Sequence, residues 1–239
     1  MIAILKKEFN SFFSSPVAYL VIGVFLLMNG LFLWVFKENF NILNAGFADL
    51  DSFFYLTPWL FLFLIPAITM KSFADEYNVG TLEILKTKPL SDWDIILGKF
   101  LAATLLVCIA LLPTLTYVYT IYDLSNPYGA IDGGSIIGSY IGILFLATTY
   151  TAVGLFTSTL SRNQIVAFIL GIFMSFILFY GFDALASLIG NTGYYLKQFG
   201  FNEHLKSISR GVIDTRDIIY FTSVTFFFLF ITKKQLENE

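Results

Sequence analysis

The chain has 239 residues, of which 57% are hydrophobic and only 13% charged, and its mean hydropathy is +0.76. A soluble domain of this size carries about 25% charged residues, so the composition excludes a water-soluble fold and indicates a polytopic membrane protein. The formal net charge of −3 says little, because the placement of basic residues matters more. A single cysteine, Cys108, and a single histidine, His204, predict no disulfide, metal site or cofactor site.

Residues 1–15 predict an amphipathic helix ahead of the first apolar run. Apolar side chains recur at helical spacing on one face, and basic or polar side chains occupy the other. We expect this elbow helix to lie flat in the membrane interface and to end at Ser15-Pro16. The alternative is a simple extension of the first span. The two faces consist of Ile2, Leu5, Phe9, Phe12 and Phe13 and of Lys6, Lys7, Asn10 and Ser14.

Six apolar runs follow that are long enough, or nearly so, to cross a hydrocarbon core of about 30 Å as helices. None shows the alternation of a barrel strand, and backbone groups cannot stay unpaired in lipid. The predicted fold is therefore an all-α integral membrane protein with six transmembrane helices. The last run is short by itself. The runs are 17–36, 53–70, 100–122, 136–160, 165–189 and 218–232.

The distribution of Lys and Arg predicts that both termini are cytoplasmic. With the N-terminus inside, nine basic residues fall in inner segments and five in outer ones, and Lys6 and Lys7 precede the first span. The inner set is Lys6, Lys7, Lys71, Lys86, Lys88, Lys99, Arg162, Lys233 and Lys234, and the outer set is Lys37, Lys197, Lys206, Arg210 and Arg216.

Residues 71–99 form a polar island between the second and third runs, and this island is the best candidate for a surface that another protein grips. Gly80 predicts a turn, Thr81 a cap for a short helix, and Pro89 the end of that helix. Ser91 begins the helix that enters the third span. We expect the short helix to present acidic and apolar groups to the cytosol. The alternative is an ordinary solvated loop with helical content.

The spans carry almost no ionisable side chain, and Asp183 near the end of the fifth is the exception. Ion-coupled carriers usually keep charged groups inside the membrane. The chain also has no G-x-x-x-x-G-K-[ST] loop for phosphates, and no set of catalytic residues is apparent. We therefore expect a protein that is not an enzyme and that is driven from outside, with a passive channel or an ion-coupled carrier as the alternative.

Three segments resemble ABC-2 type transporter permeases, whose fold is also described as type V exporter-like. The island D-E-Y-N-V-G-T-L-E-I-L-K-T-K-P-L-S is similar to the family's coupling helix, which rests on the ATPase subunit. The start K-K-E-F-N-S-F-F-S-S-P-V-A-Y is similar to its elbow helix, and F-N-E-H-L-K-S-I-S-R-G-V-I-D-T-R-D-I-I-Y-F to its outer segment before the last span. The resemblance implies ATPase coupling for Asp75, Glu76, Gly80, Thr81, Leu82, Glu83, Leu85, Pro89 and Ser91.

Within this family the sequence most resembles GldF-type permeases of gliding-motility transporters, and NosY-type permeases are more distant. That resemblance implies a multi-pass protein of the bacterial inner membrane. It also implies a GldA-like ATPase subunit, a GldG-like membrane subunit with an outer domain, and a dimer of permease chains, with no nucleic acid involved. Alternatively, the complex uses ATP to act mechanically on an outer partner and moves no solute.

The segment 190–217 is amphipathic, and we expect it to dip into or lie on the outer leaflet. It is either a lid, a docking surface for an outer partner, or a connector anchored by its aromatic residues. The four-residue link 161–164 forces spans four and five into an antiparallel pair, and it is a second hypothetical ATPase contact. The outer residues singled out are Phe201, His204, Arg210, Gly211, Asp214, Arg216 and Asp217.

Overall fold

The computed structural model describes residues 1–37, 39–44, 46–189 and 193–237, and every regular element in these ranges is helical. The first three residues of the predicted outer segment, 190–192, lie outside the described residues. The α-helices are α1 (Ile2–Ser14), α2 (Pro16–Gly30), α3 (Asp51–Thr69), α4 (Lys71–Val79), α5 (Thr81–Lys86), α6 (Asp92–Leu111), α7 (Leu115–Leu124), α8 (Gly133–Thr159), α9 (Gln164–Phe176), α10 (Phe182–Ile189), α11 (Tyr194–Lys197), α12 (Phe201–Ser209) and α13 (Thr215–Glu237).

Six helical stretches in the described residues are long and apolar enough to cross a membrane, which confirms the predicted all-α fold with six candidate spans. A short π-helical segment at Leu31–Val35 ends the first stretch, and another at Ile177–Gly181 interrupts the fifth. The sixth is longer than its apolar run, because the helix starts at Thr215 and continues through polar residues to Glu237. The stretches are Pro16–Val35, Asp51–Val79, Asp92–Leu124, Gly133–Thr159, Gln164–Ile189 and Thr215–Glu237.

Helix α8 lies at the centre of the bundle. It packs against α3, α6, α9, α12 and α13, and 67% of its apolar window is buried, whereas the fifth stretch is 22% buried. One end of α8 lies beside residues 71–99 and the other beside residues 193–217. We call these the Lys99 end and the His204 end of the bundle.

Small residues let neighbouring backbones approach α8 closely. A Cβ atom at Gly154 would lie 2.1 Å from Thr69 Oγ1 of α3, and one at Gly138 would lie 2.5 Å from the Ile208 carbonyl oxygen of α12. At Gly142 it would lie 2.9 Å from Leu205. Glycine at 138 and 142 therefore seats α12 directly against the central helix.

Part of the outer segment packs into the bundle rather than only lying on it. Phe201 at the start of α12 is fully buried, and its ring centroid is 6.0 Å from that of Tyr150 in α8. Ser135 Oγ donates a 2.7 Å hydrogen bond to the Ser209 carbonyl oxygen at the other end of α12. The neighbouring α11 differs, because its Tyr194 and Tyr195 are exposed.

Candidate coupling site

The polar island begins as a continuation of the second span. Residues 51–79 make one stretch of 29 residues. At 1.5 Å per residue this is about 43 Å, longer than a hydrocarbon core of about 30 Å, so the charged α4 extends beyond that core. Gly80 ends α4 with φ +72°, a left-handed conformation that favours glycine.

The sequence predicts that Thr81 caps a short helix and that Ser91 begins the next one, and the structure differs from this prediction at α5. Thr81 does not cap α5: Gly80 occupies the cap position, no side chain caps the helix, and Thr81 is its first residue. The left-handed Gly80 is shared by both helices, so no extended position remains for a threonine cap. Ser91 begins α6 with a capping box in which Asp94 N donates to Ser91 Oγ at 3.2 Å.

The residues that the resemblance assigns to coupling divide into a surface set and an internal set. The expectation that the short helix presents apolar groups to the cytosol is wrong for Leu82, which is buried, and Glu76, which precedes that helix, is buried as well. Leu82 packs in a hydrophobic cluster with Phe73 and Ile95, and Glu76 is held by two lysines. Asp75 and Leu85 are half-buried, and the exposed residues are Gly80, Thr81, Glu83, Pro89 and Ser91.

A buried lysine joins three helices at this end of the bundle. Lys99 Nζ of α6 lies 2.9 Å from Glu76 Oε1 of α4 and 3.0 Å from Glu8 Oε1 of α1. It also donates to the Ser72 carbonyl oxygen at 2.7 Å and lies 5.1 Å from the centroid of the Phe73 ring. These partners compensate the desolvated ammonium, and they hold α1, α4 and α6 together.

Lys7 closes the same cluster from the surface. Its Nζ lies 3.2 Å from Glu76 Oε1 and 3.3 Å from Glu8 Oε1. Burial lowers the pKa of Lys7, but Glu8 and Glu76 together raise it by more, so the net pKa lies above its usual range. We use the term lysine–glutamate cluster for Lys7, Glu8, Glu76 and Lys99.

The elbow helix rests on α6. Ser15 is extended, with φ −105° and ψ 159°, so α1 is a separate helix and not an extension of the first span. A Cβ at Gly98 would lie 2.8 Å from Ile4, which marks the point of closest packing. Of the predicted elbow residues, Lys6 and Lys7 are exposed, and Phe9 and Phe12 are half-buried. The apolar contact with α6 is made by Ile4, which the stripe of predicted membrane-facing residues did not include.

Asp75 connects α4 to the fifth span. Gln164 Nε2, in the first turn of α9, donates to Asp75 Oδ1 at 2.7 Å. The link 161–164 therefore lies beside α4, with Arg162 and Asn163 exposed. Through Asp75 and Glu76, two adjacent carboxylates bind α4 to elements on both of its sides.

Three members of this arrangement were not singled out from the sequence: Glu8, Lys99 and Gln164. Lys99 did carry a signal, because it is a charged residue that follows Gly98 at the start of an apolar helix. A glycine that admits a second helix beside a lysine indicates a buried charge with partners on that helix. Nothing local identifies Lys99 as the buried partner of Glu8 or Asp75 as the partner of Gln164, because these partners are 91 and 89 residues away.

At the His204 end, five of the seven predicted outer residues lie around a second set of polar contacts, which is centred on His204. His204 Nδ1 lies 2.6 Å from Asp217 Oδ1, His204 Nε2 lies 2.8 Å from the Gln198 carbonyl oxygen, and the imidazole stacks on Tyr220 at 3.8 Å. Asp217 is buried. These two residues, with Arg210, Asp214 and Arg216, line a cavity of about 690 Å³.

The other two outer residues, Phe201 and Gly211, do not line this cavity and contribute to packing and to the path of the backbone. Phe201 is in the core, and Gly211 has φ +83° where a Cβ would lie 2.9 Å from the backbone of Gly134. Asp214 Oδ1 accepts a hydrogen bond from the backbone N–H of Arg216 at 2.9 Å, at the start of α13. Gly211 and Asp214 thus set the path of the chain into the last span.

The comparison with protein families gives one match. A family model described as ABC-2 family transporter protein matches residues 2–212. The matched range includes the elbow helix, the polar island and five of the six candidate spans. A search of curated proteins found no match.

Proposed function

Because the chain belongs to the ABC-2 family of transporter membrane proteins, we propose that it is a permease subunit whose α4–α5 turn receives the movement of a separate ATPase. Membership of this family implies an ATPase partner and a lipid bilayer around the six spans. The observation that supports the assignment of the turn is its division into an exposed rim and an ion-paired base around the buried Lys99. The rim is Gly80, Thr81, Glu83, Pro89 and Ser91, and the base is the lysine–glutamate cluster.

The rim has the chemistry of a protein contact. It is short, partly acidic at Glu83, and limited by the left-handed Gly80 on one side and by Pro89 on the other. Pro89 fixes its own φ and restricts the residue before it, so the backbone has few alternative conformations at that end of the turn and can transmit a push there.

The base of the turn distributes such a push to several spans. Helix α4 continues the second span, Lys99 connects it to the third span and the elbow, and Gln164 connects it to the fifth. A displacement of α4 therefore moves these elements together instead of bending the turn alone. This is the mechanical role that we assign to Asp75 and Glu76, in place of direct contact with the ATPase.

The same proposal includes the orientation of the chain, its membrane and its subfamily. We assign the Lys99 end and both termini to the cytoplasm, and the chain to the bacterial inner membrane. The motif D-E-Y-N-V-G-T-L-E-I-L-K-T-K-P-L-S supports a GldF-like permease in gliding motility, working with a GldA-like ATPase and a GldG-like subunit. Two permease chains, identical or one of them GldG-like, would form the membrane unit.

The test is co-purification of the ATPase subunit with tagged chain from native membranes, together with nucleotide hydrolysis by the complex. Glu83→Arg reverses an exposed charge on the rim, and we expect it to weaken ATPase recovery by roughly fivefold, the equivalent of about 1 kcal/mol. Asp123→Arg, an exposed acidic residue in α7, is the matched control and should leave recovery unchanged.

Glu76→Gln separates the rim from the base. It removes the buried charge without altering the surface, so we expect the ATPase to bind while its activity no longer responds to the permease. Equal ATPase recovery with Glu83→Arg and Asp123→Arg would contradict the assignment of the rim. Hydrolysis of nucleotide by the isolated chain would contradict the permease role itself.

A further inference from the structure

A second cavity, separate from the lysine–glutamate cluster, lies at the His204 end. Its volume is about 390 Å³, within the range of ligand pockets, roughly 300–1,000 Å³. Helix α3 forms one wall, the π-helical segment Ile177–Gly181 and the start of α10 form another, and α12 and α8 complete it. It shares no lining residue with the cavity around His204.

Asp183 is the main polar feature of this cavity. It is the carboxylate near the end of the fifth span. Ionisable side chains within membrane spans are energetically costly and commonly mark functional sites. Asn202 Nδ2 of α12 donates to Asp183 Oδ2. The other oxygen, Oδ1, is buried and receives no hydrogen bond from the described residues. One carboxylate oxygen is therefore positioned while the other lacks a donor.

Aromatic rings line the cavity beside this carboxylate. Trp59 of α3 lies 5.5 Å from the ring of Phe179, nearly perpendicular to it, and 5.9 Å from that of Tyr180. Phe179 and Tyr180 both belong to the π-helical segment, a distortion that is frequent at functional sites and that here sets their directions just before Asp183. Phe54 and Tyr55 of α3 also line the cavity.

The charges of the lining favour a cation. The lining has two acidic residues, the half-buried Asp183 and the exposed Asp51, against one basic residue, Lys206, which is also exposed. Aromatic faces carry negative potential and attract ammonium groups, and the attraction is greater where water is excluded. An anion would face two carboxylates, and a neutral apolar molecule would leave Asp183 Oδ1 unpaired.

We propose that this cavity binds an organic cation, with a primary or secondary ammonium that donates to Asp183 and an apolar body that lies against Trp59, Phe179 and Tyr180. Because Oδ1 has no exposed surface, the ammonium reaches it only after a neighbouring side chain rotates. Tyr55 and Tyr180, which are 60% and 43% exposed, are the most exposed aromatic residues of the lining. The assignment goes beyond ATPase coupling, since it concerns a ligand at the opposite end of the bundle.

The experiment is isothermal titration of the purified full chain in dodecyl maltoside, a detergent without charged groups, at neutral pH. The probe is 2-phenylethylamine, which is protonated, and its neutral counterpart is 2-phenylethanol. We expect saturable binding of the amine and at least tenfold weaker binding of the alcohol. Asp183→Asn should weaken binding of the amine by about tenfold or more and leave the alcohol unaffected. Asp123→Asn, outside the cavity, should change neither.

Absence of saturable amine binding, equal affinity for the alcohol, or an unchanged amine affinity in Asp183→Asn would each overturn the proposal. If Asp183→Asn does not give a monodisperse protein, Asp51→Asn and Tyr180→Leu carry the test, with weaker amine binding expected in both. No nucleotide or ATPase is present, so this result is independent of the test of the coupling rim.

Discussion

Lys99 Nζ and Glu76 Oε1 lie 2.9 Å apart at the point where the elbow helix, the extension of the second span and the start of the third span meet. The lysine side chain is only 1% exposed. Desolvation makes such a pair costly to form, so its contribution to net stability is small, but its loss on one side leaves an uncompensated charge. The pair therefore fixes the relative positions of the three helices, since α4 cannot move away from α1 and α6 without taking a partner from the buried Lys99 ammonium.

The first prediction concerns this charge. Lys99→Met should lower the free energy of unfolding by at most about 3–5 kcal/mol, because Glu8 and Glu76 lose their buried partner and keep only the surface residue Lys7. Adding Glu76→Gln should recover a substantial part of the loss. The measurement is unfolding in mixed micelles, followed by circular dichroism. If the double variant is no more stable than Lys99→Met, the buried pair is not the source of the effect.

The lysine–glutamate cluster also shows which features can be predicted from the sequence and which cannot. Span lengths and the turn at Gly80 and Pro89 depend on hydrophobicity and local backbone preferences, so they are visible within one window of sequence. The burial of Glu76 cannot be predicted in this way, because its charge is compensated by Lys7, 69 residues away, and by Lys99 on another helix. An acidic residue in a polar island is expected to face solvent unless its distant partners are known.

The packing of the outer segment was also not predicted, although the sequence contains a pattern that indicates close helix contact. Its mixed composition indicates a surface helix, yet α12 packs against α8 with Phe201 in the core. Gly138 and Gly142 form a G-x-x-x-G pattern at the start of α8, which in membrane helices marks close helix contact. The pattern predicts that something lies against α8, but it does not predict that the partner is α12.

The second prediction is a pH dependence at Lys7. Its pKa is raised above the usual value of 10.5, so its contribution to stability is complete below that pH and is lost as the pH rises through the higher folded-state pKa. The difference in thermal midpoint between wild type and Lys7→Met should therefore be constant from neutral pH to about pH 10 and shrink above it. Subtraction cancels the titration of the other lysines. A difference that grows with pH would contradict the pairing.

The third prediction tests the elbow contact by adding volume. Gly98→Leu should push α1 away from α6, because its Cβ alone would lie 2.8 Å from Ile4. Spin labels at the exposed positions Lys6 and Lys88 should report a longer and broader distance distribution. Gly23→Leu is the matched control, since no atom lies within 4 Å of a Cβ there. An unchanged distance in Gly98→Leu would show that the elbow is not seated at this glycine.

The fourth prediction concerns His204 and Asp217 at the other end of the bundle. A carbonyl oxygen only accepts hydrogen bonds, so His204 Nε2 carries the proton in its contact with Gln198. His204→Phe keeps a ring against Tyr220 but removes both hydrogen bonds and leaves the buried Asp217 unpaired. We expect a loss of about 2–4 kcal/mol in the free energy of unfolding.

Two further variants separate the buried carboxylate from simple loss of packing. Asp217→Asn in the His204→Phe background removes the unpaired charge, so it should restore part of the stability. Tyr220→Phe keeps the ring stack and removes only the hydroxyl that donates to the Phe199 carbonyl oxygen, so it should cost less than His204→Phe. Limited proteolysis between α11 and α12 gives a local readout and should become faster in His204→Phe alone. If Tyr220→Phe has the larger effect, α12 is held to α13 mainly through the tyrosine and not through the histidine–aspartate pair.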